Sequence, residues 1–118
     1  MNTKPQISVL IATYNRAKIL HDTLEAFTHL ISPPGGWELI VVDNNSNDAT
    51  KDVCRAYANV LPLKYLFEKR QGIGYAFNSG IRESKGDLIV FTGDDITPDP
   101  MWLLEYEKGA NKWKRVVK

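Results

Sequence analysis

Long apolar runs, paired cysteines and an excess of one charge are all missing from this chain of 118 residues. No stretch approaches the roughly 20 consecutive apolar residues that a membrane-spanning helix needs. The single cysteine, Cys54, cannot form an internal disulfide, and its position in a helical pattern predicts a small buried side chain. The formal net charge of +1 gives no overall field to attract nucleic acid, so we expect no nucleic-acid partner.

The first residues do not predict a secretory leader. Residues 1–5 lead straight into a strand pattern rather than into the apolar segment of a signal peptide. Because a lone cysteine also fits a reducing compartment, we expect a cytoplasmic protein. The residues from Lys108 onward include five basic residues and no acidic one, with Trp113 among them. Such a segment suits a contact with the cytoplasmic face of a membrane, and equally a solvated, fraying terminus.

The length and the 43% hydrophobic content are those of one domain spanning residues 1–118. The short apolar segments with strand character are residues 7–12, 38–42, 63–67 and 87–92. Helical spacing of apolar residues separates these segments, first at Leu20, Leu24, Phe27 and Ile31, then at Ala49, Val53, Ala56 or Tyr57, and Val60, and finally at Ala76, Phe77, Gly80 and Ile81. Parallel strands need long crossovers, which helices fill. We therefore expect an α/β fold with a mostly parallel sheet and helices on both faces.

Polar residues follow each predicted strand. The four groups are residues 13–16 (Thr-Tyr-Asn-Arg), 43–45 (Asp-Asn-Asn), 69–72 (Lys-Arg-Gln-Gly) and 93–95 (Gly-Asp-Asp). The carboxyl ends of parallel strands lie along one edge of the sheet, where α/β proteins bind their ligands. The sequence therefore predicts one polar site along that edge.

The pair Asp94-Asp95 is the most informative of these groups. Adjacent carboxylates at a strand end can hold a hard divalent cation, which prefers carboxylate oxygens and substrate phosphates. The pair thus indicates a metal-assisted nucleotide or phosphate site. Gly93 before it and Pro98 after it are also good turn residues, so a simple turn explains the pair equally well.

Four motifs in order make the sequence similar to the inverting family 2 glycosyltransferases. They are residues 8–16 (SVLIATYNR), 40–48 (IVVDNNSND), 80–81 with 86–91 (GI and GDLIVF), and 94–95 (DD). The resemblance covers almost the whole chain and implies the GT-A fold, a Rossmann-like nucleotide-sugar-binding architecture. It also implies transfer of a sugar from a nucleotide diphosphate donor to an unknown acceptor hydroxyl, with Mn²⁺ or Mg²⁺ as cofactor. Cell wall or polysaccharide biosynthesis is the expected setting.

The resemblance assigns the nucleoside to the first two strand ends. The family motif that wraps the base and ribose corresponds here to Thr13, Tyr14, Asn15 and Arg16. The ring of Tyr14 would stack on the base. Asp43, with Asn45 nearby, resembles the residue that accepts a hydrogen bond from the base, as a carboxylate can from the imide of uracil. A UDP-sugar is therefore favoured as donor, although Asp43 could equally cap the next helix.

The resemblance assigns the diphosphate and the metal to the other two strand ends. The stretch from Arg70 through Gly72 to Asn78 resembles the family segment near the diphosphate. There Gly72 would allow close backbone approach, and Arg70 could pair with phosphate. Asp94 would contact the ribose or, through water, the metal, and Asp95 would bind the metal itself.

Two positions depart from the family pattern. The acidic motif often has three acidic positions, and here the first of them is Gly93. Phe77 stands where relatives often carry an arginine, so a charge that could assist the donor is missing. The first departure leaves a two-aspartate version of the metal motif, and the second leaves the donor preference undefined.

The chain is short for the family. Members continue well beyond the metal motif into an acceptor half that supplies the general base, whereas only 23 residues follow Asp95. Asp99, Glu105 and Glu107 come too soon after the motif to match that base, so no catalytic residue is assigned. We expect residues 1–118 to be the donor-binding half of an incomplete glycosyltransferase domain.

An incomplete domain should leave apolar surface uncovered. Trp102, Leu103 and Tyr106 follow the last predicted strand end, and we expect them to lack their usual partner. Exposed apolar patches favour association, so self-association, or binding of a missing C-terminal half, is expected.

Three other classes of protein share parts of this pattern. A dinucleotide-binding domain needs a glycine-rich turn after its first strand, where residues 13–16 stand instead. A phosphoacceptor signalling domain could use Asp43, but it would also need acidic residues after the first strand. A non-catalytic nucleotide-binding or interaction module with the same fold remains the serious alternative.

Overall fold

The computed structural model describes the backbone of residues 4–113 and the side chains of residues 4–109. Strands and helices alternate as β1 (Ile7–Thr13), α1 (Ala17–Phe27), β2 (Trp37–Asp43), α2 (Thr50–Tyr57), β3 (Leu63–Phe67), α3 (Ile73–Glu83), β4 (Leu88–Thr92) and α4 (Trp102–Trp113). The first seven elements confirm the predicted α/β alternation. The eighth, α4, was not predicted.

The four strands form a parallel sheet in the order β3-β2-β1-β4. The chain moves outward from β1 to β3 and then returns to the other side of β1 to form β4. This reversal places a topological switch point between β1 and β4, at the carboxyl ends of the strands. Ligands of open α/β sheets bind at such a point.

Helices cover both faces of the sheet, which explains why β1 and β2 are apolar on both sides. On one face, alternate strand residues such as Val9 and Val41 pack with Leu24 of α1 and Cys54 of α2. The other face is a smaller cluster, made of Leu10, Ile40, Val42, Ala76 and Ile89, and α3 covers it.

The second face is tightly packed at Gly80 of α3. A Cβ atom at this position would lie 2.6 Å from Cδ2 of Leu10 and 3.4 Å from Cγ2 of Val42. Glycine therefore lets α3 approach the sheet more closely than any other residue would. This close approach seats α3 directly on β1 and β2.

Two predicted helical faces need correction. Helix α1 ends at Phe27, so Ile31 lies beyond it and is 48% exposed. Helix α2 begins at Thr50 and buries Thr50, Cys54 and Tyr57, whereas Val60 lies beyond its end and is exposed. The burial of Cys54 was predicted correctly, and burial raises the pKa of its thiol to about 12.

Helix α4 closes the first face of the core. Leu103 is fully buried, which contradicts the expectation that it lacks a partner. The ring of Trp102 packs edge-on against Phe27 with centroids 5.8 Å apart, and Tyr106 remains 39% exposed. Of the predicted basic segment, residues 114–118 lie outside the described residues. Among the described residues no helix is long and apolar enough to span a membrane.

Candidate functional site

A cavity of about 490 Å³ opens at the switch point between the carboxyl ends of β1 and β4. Its lining residues come from both strand ends, from the end of β2 and from α3: Ala12, Thr13, Tyr14, Arg16, Asn44, Ile73, Phe77, Thr92, Gly93, Asp94 and Asp95. The volume is in the range of small-molecule and cofactor sites. The convergence of strand ends predicted from the sequence is therefore present in the structure.

Two aspartates of different character form one wall of the cavity. Asp94 is 5% exposed, and its Oδ2 accepts a hydrogen bond from the Thr13 hydroxyl at 2.8 Å. The Thr23 hydroxyl donates to the Asp94 carbonyl at 2.6 Å, which fixes the backbone. The side chain of Asp95, by contrast, is 59% exposed. Asp94 is thus held in place by the fold, whereas Asp95 is free to contact a ligand.

Arg16 bridges the two aspartates. Its Nε lies 3.5 Å from Oδ2 of Asp94, and its Nη2 lies 3.5 Å from Oδ2 of Asp95. The cation therefore compensates two neighbouring carboxylates in a part-open site. Its long, half-exposed side chain can move when a ligand brings in other charges.

The turn after β1 is tied to the loop after β2. Asn15 has a positive φ of 51°, its amide donates to the Ser46 hydroxyl, and its Oδ1 accepts from the Asn47 amide, both at 2.8 Å. These bonds hold the turn so that Tyr14 lies on the cavity wall with 47% of its surface exposed. An exposed aromatic ring of this kind offers a stacking face for a base.

Asp43 lies at the end of β2 but does not line the cavity. It is 2% exposed, and its Oδ1 accepts from the Ser46 amide at 2.9 Å while its Oδ2 accepts from the Tyr65 hydroxyl at 2.6 Å. Burial, together with this hydrogen bond to Asp43, raises the pKa of Tyr65. Asp43 therefore closes the turn at the end of β2 and does not cap α2, whose N-cap residue is Ala49. The capping alternative is thus wrong, and a contact with a base stays a prediction.

Asn44 is a cavity residue that the sequence analysis did not single out. Its Nδ2 donates to the carbonyls of Glu68 at 3.1 Å and Arg70 at 2.8 Å, and its Oδ1 accepts from the Gly72 amide at 2.9 Å. Gly72 has a φ of +138°, which favours glycine, and it stands directly before α3. Asn44 thus fastens the loop after β3 to the cavity. Its place in the polar run after β2 was the only available signal.

The predicted site residues divide into two groups. The cavity brings together Thr13, Tyr14, Arg16, Asp94 and Asp95. Outside its lining lie Asn15, Asp43, Asn45, Arg70, Gly72 and Asn78. Asn45 and Asn78 are exposed, and the guanidinium of Arg70 pairs with Glu68 rather than facing the cavity. Phe77, a departure from the family pattern in the sequence, lies on the cavity wall.

Known proteins agree with this geometry. A model of glycosyl transferase family 2 matches residues 8–117. The chain belongs to this family. Glycosyltransferase AglE of Haloferax volcanii is 36% identical over 112 residues, which are 93% of this chain and 36% of that protein. Validoxylamine A glucosyltransferase of Streptomyces hygroscopicus subsp. limoneus is 34% identical over 101 residues, which are 84% of this chain and 22% of that protein.

Solved structures show the same fold. TarS 1–349 of S. aureus superposes with a TM-score of 0.83 and 25% identity, over 91% of this chain and 32% of that chain. Mannosyltransferase PcManGT of Pyrobaculum calidifontis superposes with a TM-score of 0.81 and 27% identity, over 92% and 33%. The expected GT-A glycosyltransferase architecture is thus confirmed. This family 2 chain spans about a third or less of the length of these relatives.

The cavity residues of this family 2 chain fit a divalent cation that also binds a substrate phosphate. Among residues 4–109 no group of three metal-binding side chains is present, and the acidic residues that line the cavity in this part of the chain are Asp94 and Asp95. Mg²⁺ and similar ions are often held by one or two carboxylates, with substrate phosphates and water as the remaining ligands. The exposed carboxylate of Asp95 suits direct binding, whereas the oxygen of Asp94 already bonded to Thr13 suits a supporting role.

None of the three acidic residues after the aspartate pair is placed as a general base. The carboxylate of Glu107 accepts from the Gly35 amide at 2.7 Å, and Gly35 lies next to Gln6 at the opposite edge of the sheet. Asp99 accepts from the Met101 amide at 2.8 Å at the start of α4. Glu105 is exposed and lies with Asp99 in a separate hollow. Among the described residues, therefore, the structure gives no reason to assign a catalytic base, in agreement with the sequence.

Proposed function

We propose that this chain supplies the donor-binding part of a metal-dependent glycosyltransferase that uses a nucleotide diphosphate sugar. The main observation behind the proposal is that Tyr14, Arg16 and the two aspartates line the same cavity at the switch point. An aromatic face, a cation and paired carboxylates are the groups that a base, a phosphate and a divalent ion respectively require. Membership of family 2 supports the same assignment.

The proposed placement of the donor follows from the walls of the cavity. Tyr14 would stack on the base, Thr13 and Asp94 would lie beneath the ribose, and Asp95 would hold the metal that also binds the diphosphate. The ion, when bound, neutralises charge on the diphosphate leaving group. With a divalent ion on Asp95, the half-exposed Arg16 side chain would be available to pair with a phosphate oxygen. Transfer to the acceptor would need a base from a part of the protein beyond these residues.

A uridine nucleotide is the proposed donor class. TarS 1–349, at 25% identity, has been solved in complex with UDP, and this supports uridine. PcManGT, at 27% identity, has been solved with GDP-Man and Mn²⁺, which supports a divalent metal and names guanosine as the competing base. Chondroitin synthase of Escherichia coli, 31% identical over 102 residues, supports a role in polysaccharide synthesis. A cytoplasmic location, as expected from the sequence, completes the proposal.

Titration calorimetry tests the proposal. Uridine, guanosine and thymidine diphosphates are each titrated into the protein, with Mn²⁺ and then with a chelator. We expect uridine diphosphate to bind most tightly, and Mn²⁺ to be required for most of the affinity. If guanosine diphosphate bound most tightly, only the proposed base would change from uracil to guanine, and the proposed donor site would remain. No binding of any diphosphate with Mn²⁺ present would refute the donor site.

The alternative of a non-catalytic nucleotide-binding module makes the same binding predictions. Transfer assays distinguish the two, provided that they use the protein together with any downstream segment that its gene encodes. Metal-dependent transfer from a nucleotide sugar supports the enzyme. Tight nucleotide binding with neither transfer nor donor hydrolysis by that longer protein supports the module.

A further inference from the structure

Helix α4 has one face that the rest of the described chain leaves uncovered. Its inner side buries Leu103 in the core, whereas Met101, just before the helix, and Tyr106 on the outer side are 41% and 39% exposed. The ring of Tyr106 packs edge-on against Trp102, with centroids 5.4 Å apart. A hollow of about 610 Å³ lies along this outer side, and its lining residues are Asp99, Met101, Trp102, Glu105 and Tyr106. This hollow shares no residue with the donor cavity.

The outer side of α4 changes charge along its length. Glu105 is exposed in the first turn, and Asp99 lies just before the helix. Lys108 follows Glu105 by three residues and is also exposed, and Lys112 follows by four more, so all three belong to one side of the helix. Within residues 4–109, neither Glu105 nor Lys108 forms an ion pair. The outer side thus has an acidic half and a basic half.

Gly109 stands on the same side of α4, three residues after Tyr106. A Cβ atom added to Gly109 would meet no atom within 4 Å, whereas one added to Gly80 of α3 would press on Leu10. Packing within the described chain therefore does not require glycine at position 109. Glycine is unfavourable inside a helix, and one use of it there is to let another backbone approach closely. Gly109 therefore fits a contact with a second molecule.

We infer that α4 is a dimerisation helix, which pairs in the antiparallel direction with α4 of a second copy of this chain. Antiparallel pairing places the acidic half of each helix on the basic half of the other, whereas parallel pairing would bring like charges together. With Tyr106 of one copy over Gly109 of the second copy, Glu105 lies between Lys108 and Lys112 of that copy. A two-fold axis repeats these contacts, so one face supplies both sides of the interface.

The charge pattern of α4 also has an explanation within a single helix. Acidic residues near the start of a helix and basic residues near its end favour the macrodipole. That explanation accounts neither for the exposed aromatic pair nor for Gly109 on the same side. The two explanations also differ in solution. Charge reversal on α4 changes only the stability of a single helix in the first case, and it changes the oligomeric state in the second.

Sedimentation velocity over a series of protein concentrations tests the dimer, and the donor site plays no part in the result. We expect a mixture of monomer and dimer for the parent chain. NaCl at about 1 M should lower the dimer fraction, because salt screens exposed ion pairs. Glu105→Lys should raise the dissociation constant of the dimer at least about tenfold, since like charges then face one another twice. Lys108→Glu combined with Lys112→Glu should have the same effect.

Glu83→Lys is the matched control for charge reversal. Glu83 lies on α3, on the opposite face of the sheet, in an exposed pair with Lys64 at 3.0 Å. This variant should form the dimer as the parent does. Loss of the dimer in the control as well would overturn the assignment to α4.

Mixing the two charge-reversed proteins distinguishes a two-fold helix pair from non-specific association. In the mixed dimer each reversed charge faces an opposite charge in both symmetric contacts. An equimolar mixture of Glu105→Lys with the double variant Lys108→Glu, Lys112→Glu should therefore sediment as a dimer, although neither protein does so alone. A mixture that stays monomeric would overturn the inference. Variants that each dimerise as the parent does would also overturn it, and they would leave the charges to the macrodipole of α4.

Gly109→Leu keeps the inference testable if the charge reversals prevent folding. The added Cβ meets no neighbour, so thermal unfolding of the monomer should show equal or higher stability. The larger side chain should nevertheless keep the two helices apart, and we expect a monomer where the parent forms a dimer. An unchanged dimer in this variant would overturn the close contact between the helices. A parent that stays monomeric up to about 1 mM would overturn the dimer itself.

Discussion

Replacing Asp95 by asparagine removes the exposed carboxylate of the cavity while keeping the size of the side chain. In the unliganded protein the change should matter little. The side chains of Asp95 and its partner Arg16 are 59% and 44% exposed, and their closest atoms are 3.5 Å apart. Exposed ion pairs of this kind contribute about 0–1 kcal/mol. We therefore expect the free energy of unfolding of the unliganded variant to lie within about 1 kcal/mol of the parent value.

The liganded protein should respond differently. Uridine diphosphate with Mn²⁺ at ~10 times its dissociation constant should stabilise the parent by about 1.4 kcal/mol. For a domain of this size, that corresponds to a rise in melting temperature of roughly 5 °C. Asp95→Asn should lose the part of this rise that depends on Mn²⁺, because an amide oxygen is a much poorer ligand for a hard cation than a carboxylate.

Thermal unfolding with nucleotide, with nucleotide and Mn²⁺, and with nucleotide and chelator measures these shifts. Asp52→Asn is the matched control, since Asp52 is also an exposed aspartate whose arginine partner, Arg55, lies 3.5 Å away. The control should keep the full metal-dependent shift. An equal shift in the parent with and without chelator, or a full metal-dependent shift in Asp95→Asn, would refute the assignment of the metal to Asp95.

Further predictions concern packing, base recognition, acid stability and association. Gly80→Ala should lower the free energy of unfolding by about 1–3 kcal/mol, because the added methyl group overpacks against Leu10. Gly74→Ala meets no neighbour within 4 Å and should raise the free energy of unfolding by about 0.5–1 kcal/mol. Equal effects of the two substitutions in chemical denaturation would contradict the close packing of α3 on the sheet. Asp43→Ala should weaken uridine diphosphate by about 1.5–3 kcal/mol in calorimetry if Asp43 contacts the base, and an equal loss for adenosine diphosphate would restrict it to the turn. The pKa of Glu68 is lowered from 4.5 to about 2, so the stability that its carboxylate contributes is complete above pH 4.5 and is lost as the pH falls toward 2. Glu68→Gln should therefore flatten the dependence of the free energy of unfolding on pH between these values. An unchanged dependence would contradict the lowered pKa of Glu68. Light scattering should show self-association at high concentration, because Ile73, Phe91 and Tyr106 keep apolar surface exposed, and a monodisperse monomer would contradict this prediction.

The sequence predicted the parallel sheet and half of the site, because both follow from local rules. Strand character is visible in short apolar segments, and parallel pairing brings their carboxyl ends to one edge. Thr13, Arg16 and Asp94 therefore contact one another as expected. This expectation required no information about side-chain geometry. The convergence of these strand ends follows from the order of strands and helices along the chain.

The remaining site depended on pairs of residues that are distant in sequence. In the β2–β3 register Asp43 pairs with Phe67, so Tyr65, two residues earlier, reaches the Asp43 carboxylate and closes it off. The polar residues after β2 give no sign that Tyr65 is the hydrogen-bond partner of Asp43. Likewise, Leu103 of α4 is buried in the core cluster on the first face of the sheet, and the neighbouring Trp102 packs against Phe27 of α1. These partners are distant in sequence, so the sequence of α4 does not reveal them.

The most direct test of the donor site locates the metal itself. Amide signals of the protein are recorded by NMR with uridine diphosphate before and after a small amount of paramagnetic Mn²⁺ is added. We expect the signals of residues 13–16 and 92–95 to broaden first, while those of residues 35–36, at the opposite edge of the sheet, stay sharp. Broadening centred elsewhere, or none at metal concentrations that support nucleotide binding, would contradict a metal-assisted donor site at the switch point.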